Sequence, residues 1–348
     1  MLGALRLFGS LARLALELHA STLQDACVTP RAGRPPTGLT HPGLAIKDSI
    51  PLDGIPFAVA IAKSGLTYVT QTGIGSGARM ELPDTAFSAS FSVGDMPSQV
   101  RFSPDGRTAY FANQDARTIS VVAVVSNQRT AVVPVTDGSI LTIGLSPDGK
   151  TLYALTDYAG IHVIDTRTLT ITGNIPRVES GTILTGVAFH PYSPCMYVAA
   201  RDEGTVRTID LTTNQVVAVT RVEGGRIQNV AVSLDGCTLF ATDIERSKLL
   251  VRDIASLGST FSEYEVGEGM PRNAFDVAVT PDNVHVYVST LAEGRVYVFD
   301  RITRALVATI ATGGSARYIG FTADGSRAVI PNEGGWVNVL HDTELPKP

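Results

Sequence analysis

The stretch Phe102 to Asn113, FSPDGRTAYFAN, decides the fold of this chain. An apolar residue leads into Ser-Pro-Asp-Gly, a tight-turn signature in which proline presets φ and glycine relieves the exit, and an aromatic-led strand follows. Successive copies of the pattern are separated by 41, 43, 44, 43, 47 and 42 residues, which predicts seven repeated structural units. The other copies are IAKSGLTYVTQ from residue 61, LSPDGKTLYALT from 145, FHPYSPCMYVAA from 189, VSLDGCTLFATD from 232, VTPDNVHVYVST from 279 and FTADGSRAVIPN from 321.

Each copy predicts a four-stranded antiparallel unit. The residues before the turn alternate between buried and exposed types, as in VAVSLDG from Val230, and form the first strand. The aromatic-led run is the second strand. A third strand ends at an aspartate that opens an Asp-x-x-Thr turn into the fourth, as at Asp165, Asp210 and Asp300. Seven such units predict an all-β, seven-bladed β-propeller.

The two ends of the repeat region predict how the ring closes. The last copy ends with its third strand, Val337 to Leu340, and lacks a fourth. A strand-like segment, Leu44 to Leu52, precedes the first copy and can complete the last blade, which removes an open sheet edge. We therefore assign 44–342 to the propeller, 1–43 to an N-terminal extension with a degenerate signal or linker, and 343–348 to a tail.

The SPDG turn followed by YFAN or YVAA and then by V-x-x-ID resembles the YVTN-repeat β-propeller family, which includes lactonase-like and surface-layer-type propellers. The resemblance covers roughly residues 44–342. It implies the fold and several possible roles: extracytoplasmic binding protein, cell-surface repeat domain, lactonase, or subunit of a redox enzyme. Fold analogy does not choose among these roles. The resemblance also implies export, and we expect a periplasmic or cell-surface location.

Composition and charge limit the classes of partner and site that we expect. A net charge of −5 and a pI near 5.7 argue against general nucleic-acid binding. The leucine-rich stretch 1–20 is too short and too charged for a membrane span and makes a poor signal peptide, so we expect no transmembrane segment. Cys27, Cys195 and Cys237 lack metal-site spacing, and the last two are either independent thiols or, in an exported protein, a disulfide. We expect a monomeric propeller.

Arg101 breaks a repeated pattern of small residues. The residue that immediately precedes each of the seven copies quoted above is Ala or Gly in the other six. A guanidinium there must reach a carboxylate or water, because burying it unpaired costs several kcal/mol. Arg101 is therefore either half of a structural ion pair or a ligand contact. Two residues earlier lies a mostly polar set, predicted to surround the mouth of the channel: Ala58, Gln99, Thr142, Gly186, Asn229, Asp276 and Tyr318.

The loops beside this mouth add further candidates. Clustered arginines favour carboxylate or phosphate ligands, whereas the plain alternative is solvated loop charge. The lone tryptophan either packs on a neighbouring blade or stacks on a ligand. These added candidates are Arg226, Gln228, Arg272, Arg317 and Trp336.

No histidine spacing, phosphate loop, nucleophile elbow or haem motif indicates a metal or cofactor, and we predict neither. His190 and His285 fall in turns, and we expect both at the surface.

Three functional classes remain. The first is a non-catalytic binding or interaction propeller that uses the channel-mouth face for a small anionic ligand or a protein partner. The second is a lactonase-like hydrolase or lyase acting on an anionic small molecule, with Asp276 as the candidate catalytic base. The third is a docking subunit of a redox complex, so the sequence leaves enzymatic activity open.

Overall fold

The computed structural model describes residues 44–176, 182–256, 258–268 and 273–342. Seven four-stranded antiparallel sheets form the blades, as predicted. Blades 1 to 3 comprise β2 Pro56–Ile61, β3 Leu66–Gln71, β4 Ser76–Glu81, β5 Phe87–Ser92; β6 Pro97–Phe102, β7 Thr108–Asn113, β8 Thr118–Ala123, β9 Gln128–Pro134; and β10 Ile140–Leu145, β11 Thr151–Thr156, β12 Ile161–Asp165, β13 Thr170–Ile175. A short 3-10 helix, Thr72–Ile74, lies between β3 and β4.

The remaining blades repeat this order, except that the last has three strands in sequence. They comprise β14 Leu184–Phe189, β15 Cys195–Ala200, β16 Thr205–Asp210, β17 Gln215–Arg221; β18 Ile227–Val232, β19 Thr238–Asp243, β20 Lys248–Asp253, β21 Ser262–Glu265; β22 Ala274–Val279, β23 His285–Thr290, β24 Arg295–Asp300, β25 Leu306–Ala311; and β26 Gly320–Phe321, β27 Arg327–Asn332, β28 Trp336–Asp342.

The N-terminal strand closes the ring. Strand β1, Leu44–Pro51, pairs antiparallel with β28 and gives the seventh blade the strand order β1-β28-β27-β26. The amide of Leu52 donates to the Gly335 carbonyl at 3.0 Å, and Asn338 Nδ2 donates to Ser49 Oγ at 2.9 Å. The predicted closure is confirmed, and it satisfies backbone groups on β28 that would otherwise form an open edge.

The repeated turn is a hydrogen-bonded device. Ser103 Oγ donates to Asp105 Oδ1 at 2.6 Å and accepts from the Thr108 amide at 3.0 Å, while Gly106 has φ +69°. The hydrogen bond from Ser103 lowers the pKa of Asp105 below its ordinary value. Aspartates at the equivalent turns accept from Ser146, Ser233, Thr280 and Thr322. The aspartates of this motif therefore hold the turns between the first and second strands.

Blade-to-blade packing explains the column of small residues. A Cβ on Gly144 would lie 2.9 Å from Val187 of the next blade, and one on Gly320 would lie 3.1 Å from Val59. Each small residue thus makes room for a branched or aromatic side chain of the following blade.

The expectation that His190 and His285 are surface residues is wrong, because they are 1% and 7% exposed. Nδ1 of His190 accepts from the Ser193 amide at 2.9 Å, and its Nε2 lies 3.0 Å from the Gly236 carbonyl. The His190 ring therefore organises its turn. Cys195 and Cys237 do not form a disulfide with each other. Within the described ranges, no helix has the length and apolar character needed to span a membrane.

Candidate functional site

A β-bulge shapes the inner strand of each of the first six blades. The pairing register slips near the third residue, for example between Pro97 and Gln99 in blade 2. In blade 6 the displaced amide of Asp276 donates instead to Ser289 Oγ at 3.1 Å. Bulges re-aim side chains beside functional sites, and here they set the polar positions around the propeller axis. Equivalent hydroxyls accept the bulge amides of Ala58 and Asn229, namely those of Thr70 and Thr242.

Asp276 is the acid of the polar set predicted around the channel mouth, which we call the inner ring: Ala58, Gln99, Thr142, Gly186, Asn229, Asp276 and Tyr318. It is 5% exposed, its Oδ2 accepts from the Ile319 amide at 2.7 Å, and its Oδ1 accepts from Asn229 Nδ2. Burial raises the pKa of Asp276 from 3.8 to about 7, although these donors and the charge of Arg101 oppose the rise. The carboxyl therefore titrates near neutral pH and links three consecutive blades.

Arg101 lies on the same inner surface, and no described residue forms an ion pair with it. Its Nη1 donates to Gln99 Oε1 at 2.9 Å and to the Val100 carbonyl at 3.0 Å. Across the described ranges, no carboxylate lies within 4.0 Å of the guanidinium, and its Nε and Nη2 donate no hydrogen bond. Burial lowers the pKa of Arg101, while Tyr318 and Asp276 act in the opposite direction. The residue keeps some accessible surface, which is what a ligand contact requires.

Two buried amides on the inner strands have incomplete hydrogen bonding. Gln99 Nε2 and Gln228 Oε1 are buried, and neither has a partner among the described residues. A buried amide group without a partner costs about 1–3 kcal/mol. The inner strands thus carry a cationic donor, a neutral donor and an acceptor that form no hydrogen bond with described residues.

Tyr318 places a phenol among these groups. Its ring packs edge-on against Phe57 at 5.8 Å and Phe275 at 5.2 Å between centroids. Burial and the neighbouring Asp276 raise the pKa of Tyr318 above its ordinary value, so the hydroxyl is a neutral donor near the carboxyl.

Three arginines were predicted beside the channel mouth, and we call them the rim arginines: Arg226, Arg272 and Arg317. The structure pairs two of them with acids. Arg226 Nη2 lies 2.5 Å from Asp202 Oδ1. Arg317 Nη2 lies 2.5 Å from Glu333 Oε1, and its guanidinium stacks on Phe57 and Phe275 at 4.7 and 4.6 Å from the ring centroids. The third rim arginine, Arg272, lies outside the described residues.

Trp336 Nε1 donates to the Thr312 carbonyl and to Asn338 Oδ1, both at 3.2 Å. A Cβ on Gly314 would lie 2.9 Å from the Trp336 ring. The indole thus packs on the glycine-rich loop that leads into the seventh blade.

Sequence reasoning missed the aromatic platform of Phe57 and Phe275 and the hydroxyl of Ser289. One signal was available, because hydroxyl residues recur in the second strand at Thr70, Thr242 and Ser289. No cluster of three or more His, Cys, Asp or Glu side chains suited to a metal occurs in the described ranges.

Comparisons with known proteins agree on architecture. No protein-family model matches the sequence, and no curated protein matches it either. A solved structure titled Kuenenia stuttgartiensis Hydrazine Synthase superposes with a TM-score of 0.77 at 19% identity, covering 84% of this chain and 96% of the other. The Cps50 (Swd1) β-propeller domain of Myceliophteria thermophila superposes with a TM-score of 0.70 at 13% identity, covering 86% and 100%. At these identities, the likeness shows a seven-bladed β-propeller.

Proposed function

We propose that this chain is a non-catalytic binding propeller whose central channel holds a small anionic ligand against Arg101. One observation carries the proposal: a guanidinium occupies a position that is Ala or Gly in every other blade, and it has no carboxylate partner in the described structure. An unpaired, partly desolvated arginine is costly, and an anion bound to Nε and Nη2 would offset that cost. The resemblance to YVTN propellers supports a location outside the cytoplasm.

The neighbours of Arg101 favour a carboxylate ligand. A carboxylate accepts two hydrogen bonds from a guanidinium in a planar arrangement. Protonated Asp276 and the Tyr318 hydroxyl supply neutral donors on the same surface, whereas ionised Asp276 would repel the ligand. Since the pKa of Asp276 is about 7, affinity for an anion should fall as pH rises through neutrality.

Titration calorimetry tests the proposal with citrate, malonate, benzoate and inorganic phosphate as probes. We expect Arg101→Met to weaken binding by at least about 30-fold, the equivalent of about 2 kcal/mol for removing a desolvated charge contact. Arg226→Met is the matched control, because Arg226 is 45% exposed and already paired with Asp202. Equal affinity of the Arg101 variant and the parent, or loss only in the control, would contradict the channel site.

A second candidate is a lactonase-like hydrolase or lyase. The observation in its favour is the buried carboxyl of Asp276, with a pKa of about 7 that suits a general base at neutral pH. Arg101 would then hold the anionic part of the substrate. Turnover of a lactone panel that disappears in Asp276→Asn would establish this reaction, and ligand binding without turnover would exclude it for that panel.

A further inference from the structure

A groove on the channel-mouth face, between blades 1 and 2, is separate from the inner ring. It encloses about 400 Å³ and is built from the loops that precede β2 and β6 and those that follow β3 and β7. We call it the mouth groove, and define it by Ile55, Thr72, Ile74, Asp95, Met96 and Asp115. Its three large apolar side chains are 45%, 56% and 38% exposed, in the order Ile55, Ile74 and Met96.

Glycines hold the two isoleucines in place. A Cβ on Gly54 would lie 2.5 Å from Ile74 Cγ1, and one on Gly73 would lie 3.1 Å from Ile55 Cδ1. The Thr72 amide donates to the Ile55 carbonyl at 3.1 Å, and the Gly73 amide to the Gly54 carbonyl at 2.9 Å. Each isoleucine therefore packs over the other loop's glycine, and the apolar surface is fixed before any partner arrives.

The backbone at these positions does not require apolar side chains. Ile55 and Met96 each precede the first strand of a blade with φ values of +59° and +52°. Blade 6 has Asn273 at the same place with φ +56°, and asparagine adopts this left-handed conformation more readily. A β-branched residue there costs about 1–2 kcal/mol. Ile55 therefore bears a conformational cost while exposing its side chain to solvent, which points to a contact outside this chain.

Two carboxylates flank the apolar surface. Asp95 and Asp115 are exposed, and within the described ranges neither has a cationic side chain within 4.0 Å. Acidic groups beside a groove favour a cationic partner and disfavour anionic membranes and nucleic acids.

We propose that the mouth groove docks a peptide segment of another protein in which an aliphatic or aromatic side chain is flanked by lysine or arginine. The apolar side chain packs between Ile55, Ile74 and Met96, while the basic residues pair with Asp95 and Asp115. Fixed apolar anchors with a charged rim are the general pattern of peptide-binding surfaces. The site shares no residue with the channel, so it does not depend on the proposed ligand.

A displayed library of random twelve-residue peptides is the probe, with binding of the enriched peptides measured by fluorescence anisotropy. We expect enrichment of an apolar residue beside Lys or Arg, and at least tenfold weaker binding to Ile74→Ser. The double variant Asp95→Asn/Asp115→Asn should lose most of the salt dependence of binding. Ile302→Ser is the matched control, because Ile302 is 69% exposed and lies outside the groove.

Each variant changes an exposed side chain, so we expect urea unfolding midpoints close to that of the parent. Measuring these midpoints shows that the variants remain folded. Absence of enrichment would overturn the proposal. Enriched peptides that bind equally to the parent and to Ile74→Ser would also overturn it, because they would be using another surface.

Discussion

Replacing Asp276 by asparagine should change how the stability of this propeller depends on pH. The folded protein keeps the Asp276 proton up to about pH 7, whereas the unfolded chain releases it near the ordinary pKa of 3.8. Between these values the folded state binds more protons, so the free energy of unfolding falls as pH rises. Each pH unit in this window is worth about 1.4 kcal/mol, and the full range about 4 kcal/mol.

The difference between variant and parent isolates this contribution. His285, whose pKa is lowered by burial, and the turn aspartates also titrate, but they are common to both proteins and cancel. Asparagine loses one acceptor toward Asn229 or Ile319, a cost that does not vary with pH. From pH 5 to 8, the variant should therefore gain about 3 kcal/mol relative to the parent.

Urea unfolding at half-unit pH intervals from 5 to 8 measures this difference. Parallel stability curves for the two proteins would refute the reasoning, because they would mean that Asp276 is ionised throughout and that burial does not control its charge. A direct ion pair that stabilised the ionised carboxyl would also give parallel curves, because Asp276 would then be ionised in both the folded and the unfolded state above pH 5.

Three further predictions concern packing, closure and thiol reactivity. Gly186→Ala should destabilise the fold by about 1–3 kcal/mol, since its Cβ would lie 2.7 Å from Asn229 Cα, whereas Gly173→Ala, with nothing closer than 3.9 Å, should change the urea midpoint little. Removing residues 1–51 should expose the β28 edge and convert monomer to aggregate in light scattering, while removing only 1–40 should not; a monomeric 52–348 chain would contradict the role of β1. Iodoacetamide at pH 8 should label Cys237 before Cys195, because the Cys195 thiol is buried and its pKa is raised to about 12. Peptide mass spectrometry measures the order of labelling, and equal labelling rates would show that blade 4 opens locally.

The sequence predicted the architecture because repetition averages out local ambiguity. Any one copy, such as VTPDNVHVYVST from residue 279, is a weak signal, yet seven copies in register predict the number of blades and their strands. The closing strand followed from the same count, because the last unit lacked a fourth strand and a strand-like segment, Leu44 to Leu52, preceded the first.

The residue column containing Arg101 was also visible in the sequence, because an exception to a repeated pattern needs no structure to be noticed. The side chains that surround Arg101 in the fold were not visible in the sequence. Whether Arg101 meets a carboxylate depends on side chains from other blades, and local spacing does not encode how they approach the axis. The prediction that His190 is exposed was wrong because it rested on the turn position alone. The neighbouring blade covers the imidazole ring, and local sequence does not show this.

The sequence by itself therefore determined seven blades, a ring closed by pairing of its N- and C-terminal strands, and an arginine out of place on the inner strands. Tertiary structure alone decided which polar side chains lie together around the propeller axis and which rim arginines are paired with acids. It also decided that Asp276 is buried deeply enough to titrate near neutrality. The physical reason is that strand periodicity and turn chemistry are local, whereas desolvation and charge pairing depend on residues far apart in the chain.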